Sequence, residues 1–184
     1  MKFDGNMKIW SQLFNIILCG SLLIVASGCN TNAKSKILAK DGTLMAFHME
    51  MASGYGESTM PVQIGRLNPV EMTVQQSPFI REINVLKAEA WDTTDGGIAI
   101  RLELDRIGRK HLETASMLHR GARVAVQAIF PEPRWIDIMK LDRHMGDGII
   151  ILYPDASPEE TDRIVSGLNL VSEAIEEDGD RDEQ

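Results

Sequence analysis

The stretch that most constrains the fold lies between Val85 and Gly121, where the spacing of apolar residues changes period at one residue. Ile98, Ile100, Leu102 and Leu104 alternate with Ala99, Arg101 and Glu103, the period of two that lays one face of a strand on a core. Upstream, Val85 to Asp92 predicts a partner strand with Leu86, Ala88 and Ala90 on one face, and Asp95-Gly96-Gly97 supplies turn chemistry between the two. At Asp105 the pattern becomes helical. Asp105 is a suitable N-cap, Ile107, Leu112, Ala115 and Leu118 recur at helical spacing, and Gly121 provides the stop.

The rest of the chain repeats these two kinds of element. Leu44 to Met51, Val62 to Leu67 and Val70 to Gln75 alternate as strands, separated by Pro61, Asn68-Pro69 and Ser77-Pro78. Arg123 to Phe130, Trp135 to Leu141 and Gly148 to Tyr153 read the same way, with Gly146-Asp147-Gly148 as a tight turn. A second helix opens at Ser157-Pro158-Glu159-Glu160, where Ser157 can cap, Pro158 fits the first turn and Glu160 can close a capping box. Ile164, Val165, Leu168, Val171 and Ile175 give it an apolar stripe. Strands outnumber helices and come in runs, so the expected class is α+β, a mostly antiparallel sheet with two packed helices.

The first thirty residues carry a different message. Lys2 and Lys8 precede an uncharged stretch from Ile9 to Ala33, densest in apolar residues from Leu13 to Ala26, which is the layout of a secretory signal. The run ends Val25-Ala26-Ser27-Gly28-Cys29 and resembles the lipobox of bacterial lipoproteins. Small residues suit a peptidase cleft, and the Cys29 thiol is the diacylglycerol acceptor. The expected organisation is therefore a signal peptide over 1–28 cut after Gly28, a polar tether over 29–42, one domain over 43–175 and an acidic, solvated tail over 176–184. An uncleaved anchor is the alternative. Either way the body faces the periplasm, held to the cell-envelope membrane by diacylglycerol and an N-linked acyl (palmitate-type) chain if Cys29 is processed. Asn30, in place of the Asp that favours inner-membrane retention in some bacteria, points to the outer membrane.

Charge narrows the possible partners. The whole chain has 19 Lys+Arg against 27 Asp+Glu, net −8. Loss of Lys2, Asp4 and Lys8 with the signal leaves 17 against 26, net −9. Such a chain without a basic block is poorly suited to a phosphate backbone, so no nucleic acid is expected. No Gly-x-Ser-x-Gly elbow or Walker pattern occurs, and lipidation consumes the thiol of Cys29. His111 and His119 stand eight apart on one helix, two turns rather than the one a zinc pair needs, so no metal and no cofactor beyond the lipid is expected; His48 and His144 read, like these two, as surface or loop histidines. Phe130 and Trp135 flank Pro131-Glu132-Pro133-Arg134, a segment able to form an exposed apolar lip for a peptide. The alternative is that Trp135 anchors a strand in the core, the commoner situation for Trp.

The segment from Pro78 to Leu168 resembles the head subdomain of the first large periplasmic domain of SecD, an accessory component of the Sec protein translocase. In that family a strand ending in an acid leads to Gly, then a hydroxyl residue eight later, Gly at thirteen and Ala at seventeen; Gly108, Ser116, Gly121 and Ala125 reproduce these spacings. On this pattern Gly121 closes the helix and Ala125 lets the next strand pass close under it. The order of Pro78-Phe79-Ile80 and of Asp147-Gly148-Ile149 before Ser157-Pro158 also resembles the family. Two departures stand out. Ile129 to Trp135 replaces the family's Leu-Asp-Gly turn, and no membrane-crossing stretch follows Cys29, so proton-driven pumping is not expected.

The resemblance implies a non-enzymatic, membrane-tethered lipoprotein that binds a protein or unfolded polypeptide, accessory to protein export. The competing readings are a structural envelope lipoprotein reusing the fold, and a small envelope hydrolase using acids such as Glu103, Asp105 and Asp147.

Overall fold

A computed structural model of the chain describes Leu38 and residues 40–51, 58–94 and 96–182. Gly28, Cys29 and most of the expected tether lie outside the described residues, as does Asp95 of the hairpin turn. Nine strands and two long helices follow in the order β1 (Leu44–Met49), β2 (Thr59–Ile64), β3 (Val70–Gln75), β4 (Ile80–Arg81), a single 3-10 turn (Glu82–Asn84), β5 (Val85–Asp92), β6 (Ile98–Leu104), α1 (Arg106–Leu118), β7 (Arg123–Ile129), β8 (Pro133–Lys140), β9 (Ile149–Leu152) and α2 (Pro158–Asp182). The strands form three sheets, ordered β4-β1-β7-β8, β5-β6-β9 and the ribbon β2-β3. All pairings are antiparallel, so the fold is α+β as the patterning predicts.

The two larger sheets feed one buried cluster. Met45 and Phe47 of β1 and Val124 and Val126 of β7 meet Ile100 and Leu102 of β6 and Ile150 of β9, and Leu112 of α1 with Ile164 and Leu168 of α2 close it. Burial of each such side chain is worth about 1.5–3 kcal/mol, which is why these faces are uniformly apolar. The ribbon covers the opposite face of the four-stranded sheet, where Val62, Ile64, Met72 and Val74 pack on Ala125 with Trp135 and Ile138 at the margin.

Several predicted positions fall on other faces. Leu86 is 52% exposed, because the register between Val85 and Lys87 slips by a bulge that keeps Val85 and Ala88 inside and turns Leu86 out. The outer edge of β5 is capped by α2: the Asn169 side chain accepts from the Ala88 N–H (2.8 Å) and donates to its C=O (3.0 Å), standing in for a neighbouring strand. In α1 the inward residues are Gly108, Leu112, Ala115 and Ser116, whereas Ile107 and Leu118 face solvent at 53% and 73% exposure. β8 begins at Pro133, two residues before the predicted start. Leu38 to Gly42, the end of the expected tether, belongs to the body: the Leu38 carbonyl accepts from the Gly42 N–H, and Thr43 is fully buried. The acidic end of the chain is helical as far as Asp182, with Glu176 to Gly179 exposed, since the packed half of the helix has already nucleated it.

Asp105 caps α1 by accepting from the Gly108 N–H (2.5 Å), and the Ser157–Glu160 box caps α2 through bonds of 2.8 and 3.2 Å. Glu160 does more than cap. It receives Arg134 Nη1 at 2.8 Å and Arg66 Nη2 at 2.6 Å, tying β8 and the ribbon turn to the start of α2. The Arg134 guanidinium, then the Ser157 N–H and the Arg66 guanidinium, hold its carboxyl down to about 2. A carboxylate with a lowered folded pKa stabilises the fold above the unfolded value of 4.5, and loses that contribution as pH falls through about 2.

Glu160→Gln is therefore expected to lower unfolding free energy by about 1–2 kcal/mol at neutral pH, less than full linkage because the surroundings are partly solvated. The gap between variant and parent should narrow as pH falls below 4.5 toward 2 in chemical denaturation, whereas a constant gap would show packing and not charge at fault.

Candidate binding groove

The four motif positions act as structural joints. A Cβ on Gly108 would stand 2.8 Å from the Asn84 Cβ, so glycine lets the first turn of α1 press on the 3-10 turn, whose Asn84 carbonyl accepts from the Asp105 N–H. Ser116, buried in α1, donates to the Glu113 carbonyl (2.8 Å) and accepts from the Met145 N–H (3.1 Å), pinning the loop that follows β8. Gly121 has φ +86°, a left-handed conformation that a side chain resists, and its N–H donates to the Leu141 carbonyl at 2.6 Å. Ala125 departs from expectation: it faces the ribbon, not α1. The rings of His48 on β1 and Trp135 on β8 meet edge to face at 5.2 Å, although β7 runs between their strands, and a methyl at 125 leaves room for them to close over it.

The apolar lip expected at Phe130, Arg134 and Trp135 does not form. Phe130 is in the main core, and the Arg134 guanidinium lies 4.9 Å over its ring while paired to Glu160. Trp135 is half-buried against the ribbon. Residues of opposite faces alternate along β8, so sequence neighbours here do not share a surface. His48 is likewise not a surface histidine. It is 4% exposed, its Nδ1 lies 2.9 Å from the Gln75 carbonyl, and its period-two place in β1 is the signal that pointed inward.

The acids named for hydrolysis are occupied separately. Glu103 pairs with Arg101 at 3.5 Å, Asp105 caps α1, and Asp147 accepts from the Ile149 N–H. Among the described residues, Asp137 is the carboxyl held above its ordinary range, by burial, and its oxygens accept from the Tyr153 and Ile138 N–H groups. No group of three His, Cys, Asp or Glu able to hold a metal occurs among the described residues.

What the sequence did not reveal is an apolar groove of about 750 Å³ beside α1. Its floor is Met49 and Met51 at the end of β1 with Pro78 and Phe79 of the link to β4; its wall is Ala115 and Leu118 of α1; its rim includes Lys110, His111 and His119. The cause is a mismatch of lengths. β4 pairs only with Ala46 and Phe47, and beyond it the chain turns to β3, where Glu50 bridges Val74 and the Met51 N–H donates to the Thr73 carbonyl, so β4 gives no cover to the core side of Met49 and Met51. His111 Nδ1, 2.9 Å from the Phe79 carbonyl, holds α1 to the link and keeps the groove open. The predicted apolar phase of α1 contained the signal, since Leu118 was assigned to a core that it does not reach.

No protein-family model and no curated protein matches the chain. The fold of the chain is similar to that of periplasmic parts of SecDF. A solved structure described as a membrane component, SecDF, that enhances protein export aligns with 79% of this chain and 70% of its own, at TM-score 0.54 and 15% identity. SecDF in a super-membrane-facing form aligns with 76% of this chain at TM-score 0.53 and 14% identity, and this chain spans 20% of that one. At such identity the likeness is one of fold. Among the described residues no helix is long and apolar enough to cross a membrane.

Trp135→Ala is expected to cost about 2–3 kcal/mol in thermal or denaturant unfolding, below the cost of a fully buried Trp, through the void left beside His48 and Ile138. An unchanged midpoint would mean that the ring contributes nothing to ribbon packing.

Proposed function

We propose that this protein is a lipid-anchored polypeptide-binding module of the cell envelope, accessory to protein export and acting without catalysing a reaction. The observation that carries the reading is the groove. A methionine- and phenylalanine-lined trough with polar groups on its rim suits extended chains of varied sequence, because thioether side chains adapt to different apolar partners. The shared fold with SecDF, whose described role is to enhance protein export, supports the export setting. The lipobox at Val25 to Cys29 supports the anchor, and the dispersed engagement of Glu103, Asp105 and Asp147 in local structure supports binding over hydrolysis.

The groove is tested by placing a photo-reactive residue at Leu118 of the full chain in cells, with Leu67, 92% exposed at the ribbon turn, as the control position. Secreted polypeptides should be captured from position 118 and not from 67. Equal capture at both, or none at either, would overturn the groove as the binding surface. The anchor is tested separately. Cys29→Ser should abolish incorporation of labelled palmitate and leave an unprocessed precursor, and continued labelling would exclude Cys29 as the lipid acceptor.

A further inference from the structure

The charges of α1 break a local rule. A helix N-terminus carries the positive end of the dipole and favours acids, yet the first turns of α1 hold Arg106, Arg109 and Lys110 and no acid beyond the Asp105 cap. With Arg120 just past the helix, that makes four exposed cations, and none forms an ion pair with a described residue. The one acid within α1, Glu113, is taken up by His144 on the far side, at 3.2 Å. A chain of net −8 thus places Lys110 on a groove in whose described lining there is no carboxylate, with Arg106 one helical turn before it, while Arg109 packs against Gly148 away from that lining. Local stability does not explain the three at the N-terminal end, since the dipole opposes them; Arg120 stands past the C-terminal end, which the dipole favours.

We infer that the groove selects extended polypeptide segments in which apolar side chains are followed by carboxylates: the apolar part lies on Met49, Met51 and Phe79, and the carboxylates meet Lys110 and Arg106, one helical turn apart. This rests on the groove being a polypeptide site and adds its charge preference. The concavity argues for a chain over an anionic bilayer, because a membrane surface reaches Leu118 but not a floor formed by Met49 and Phe79. Carboxylate recognition by Lys and Arg also gives on-rate and register, which suits a surface that captures chains in passing.

The test uses the full chain in neutral detergent and three fluorescent peptides sharing one apolar core, flanked on one side by Glu, Gln or Lys. Fluorescence anisotropy at low salt should rank Glu over Gln over Lys, with about tenfold between the extremes, and the spread should collapse near 1 M salt, where the Debye length is about 3 Å. Lys110→Glu should reverse the ranking, and Leu118→Ser should weaken all three alike. Arg106→Glu should raise the melting temperature by relieving the dipole while weakening the Glu-flanked peptide, a combination that a purely structural role for Arg106 does not produce.

Equal affinity for the three peptides overturns the charge preference and leaves the groove reading intact; no binding of any peptide overturns both. Displacement of the Glu-flanked peptide by phosphatidylglycerol vesicles but not by phosphatidylcholine vesicles, with Leu118→Ser having no effect, would assign the cations to a membrane and overturn the inference. Concentration-dependent self-association abolished by Lys110→Glu would assign them to the acidic end of α2 in a second copy, with the same consequence.

Discussion

Neither of the two larger sheets can bury its apolar face alone. The four-stranded sheet offers Met45, Phe47, Val124 and Val126, the three-stranded sheet offers Ile100, Leu102 and Ile150, and both rely on one shared cluster. This constraint decides where the helices go. Strand β6 must hand directly to α1 so that Leu112 closes the cluster, and α2 must cross β5 so that Ile164 and Leu168 finish it. The tight features serve that closure. Gly108 lets α1 seat on Asn84, Ser116 holds the loop after β8, and Asn169 completes the edge of β5. The groove is the remainder of the same geometry, the stretch of β1 that runs past the cover its short neighbour β4 provides.

The ribbon β2-β3 is attached by other means. Its apolar contact is the cluster around Ala125, and its turn is clasped by the ion pair of Arg66 with Glu160; near its base Glu50, bridged to Val74 through the backbone, is paired with Arg123 of β7. The Arg123 guanidinium holds Glu50 below the ordinary carboxylate range, as Arg134 and Arg66 do for Glu160. Charge therefore adds to burial in positioning the ribbon. Since β3 leads into the link that floors the groove, these clasps also bear on the groove's shape.

How much of this was legible in the sequence follows from the range of the interaction involved. The β5-β6 hairpin, the Asp105 cap and the Ser157–Glu160 box are encoded within a few residues, and they appear as the spacing predicts. Leu86, Ile107 and Leu118 were placed on the wrong face because a bulge, or the limit of a core, is set by residues distant in the chain. The same holds for Phe130 and Trp135, which are close in sequence but enter different clusters on opposite faces of one sheet. The motif spacing singles out four positions, yet could not say that Ala125 faces the ribbon beside the His48–Trp135 contact instead of a helix.

A fold shared with SecDF at 15% identity fixes little about use, because the residues that maintain a fold and those that touch a ligand are under different physical demands. The joints of this chain satisfy the first demand: Gly108, Ser116 and Ala125 are buried, and the exposed Gly121 supplies the positive φ and the bond to Leu141 that end the helix. The basic flank of α1 is of another kind. Arg106 and Lys110 are exposed, without an ion pair to a described residue and opposed by the helix dipole, and Lys110 lines the groove together with the exposed Leu118. Where local preference and observed sequence disagree in this way, a functional demand is the expected reason. The groove and its flank are thus argued from the residues that the fold does not need.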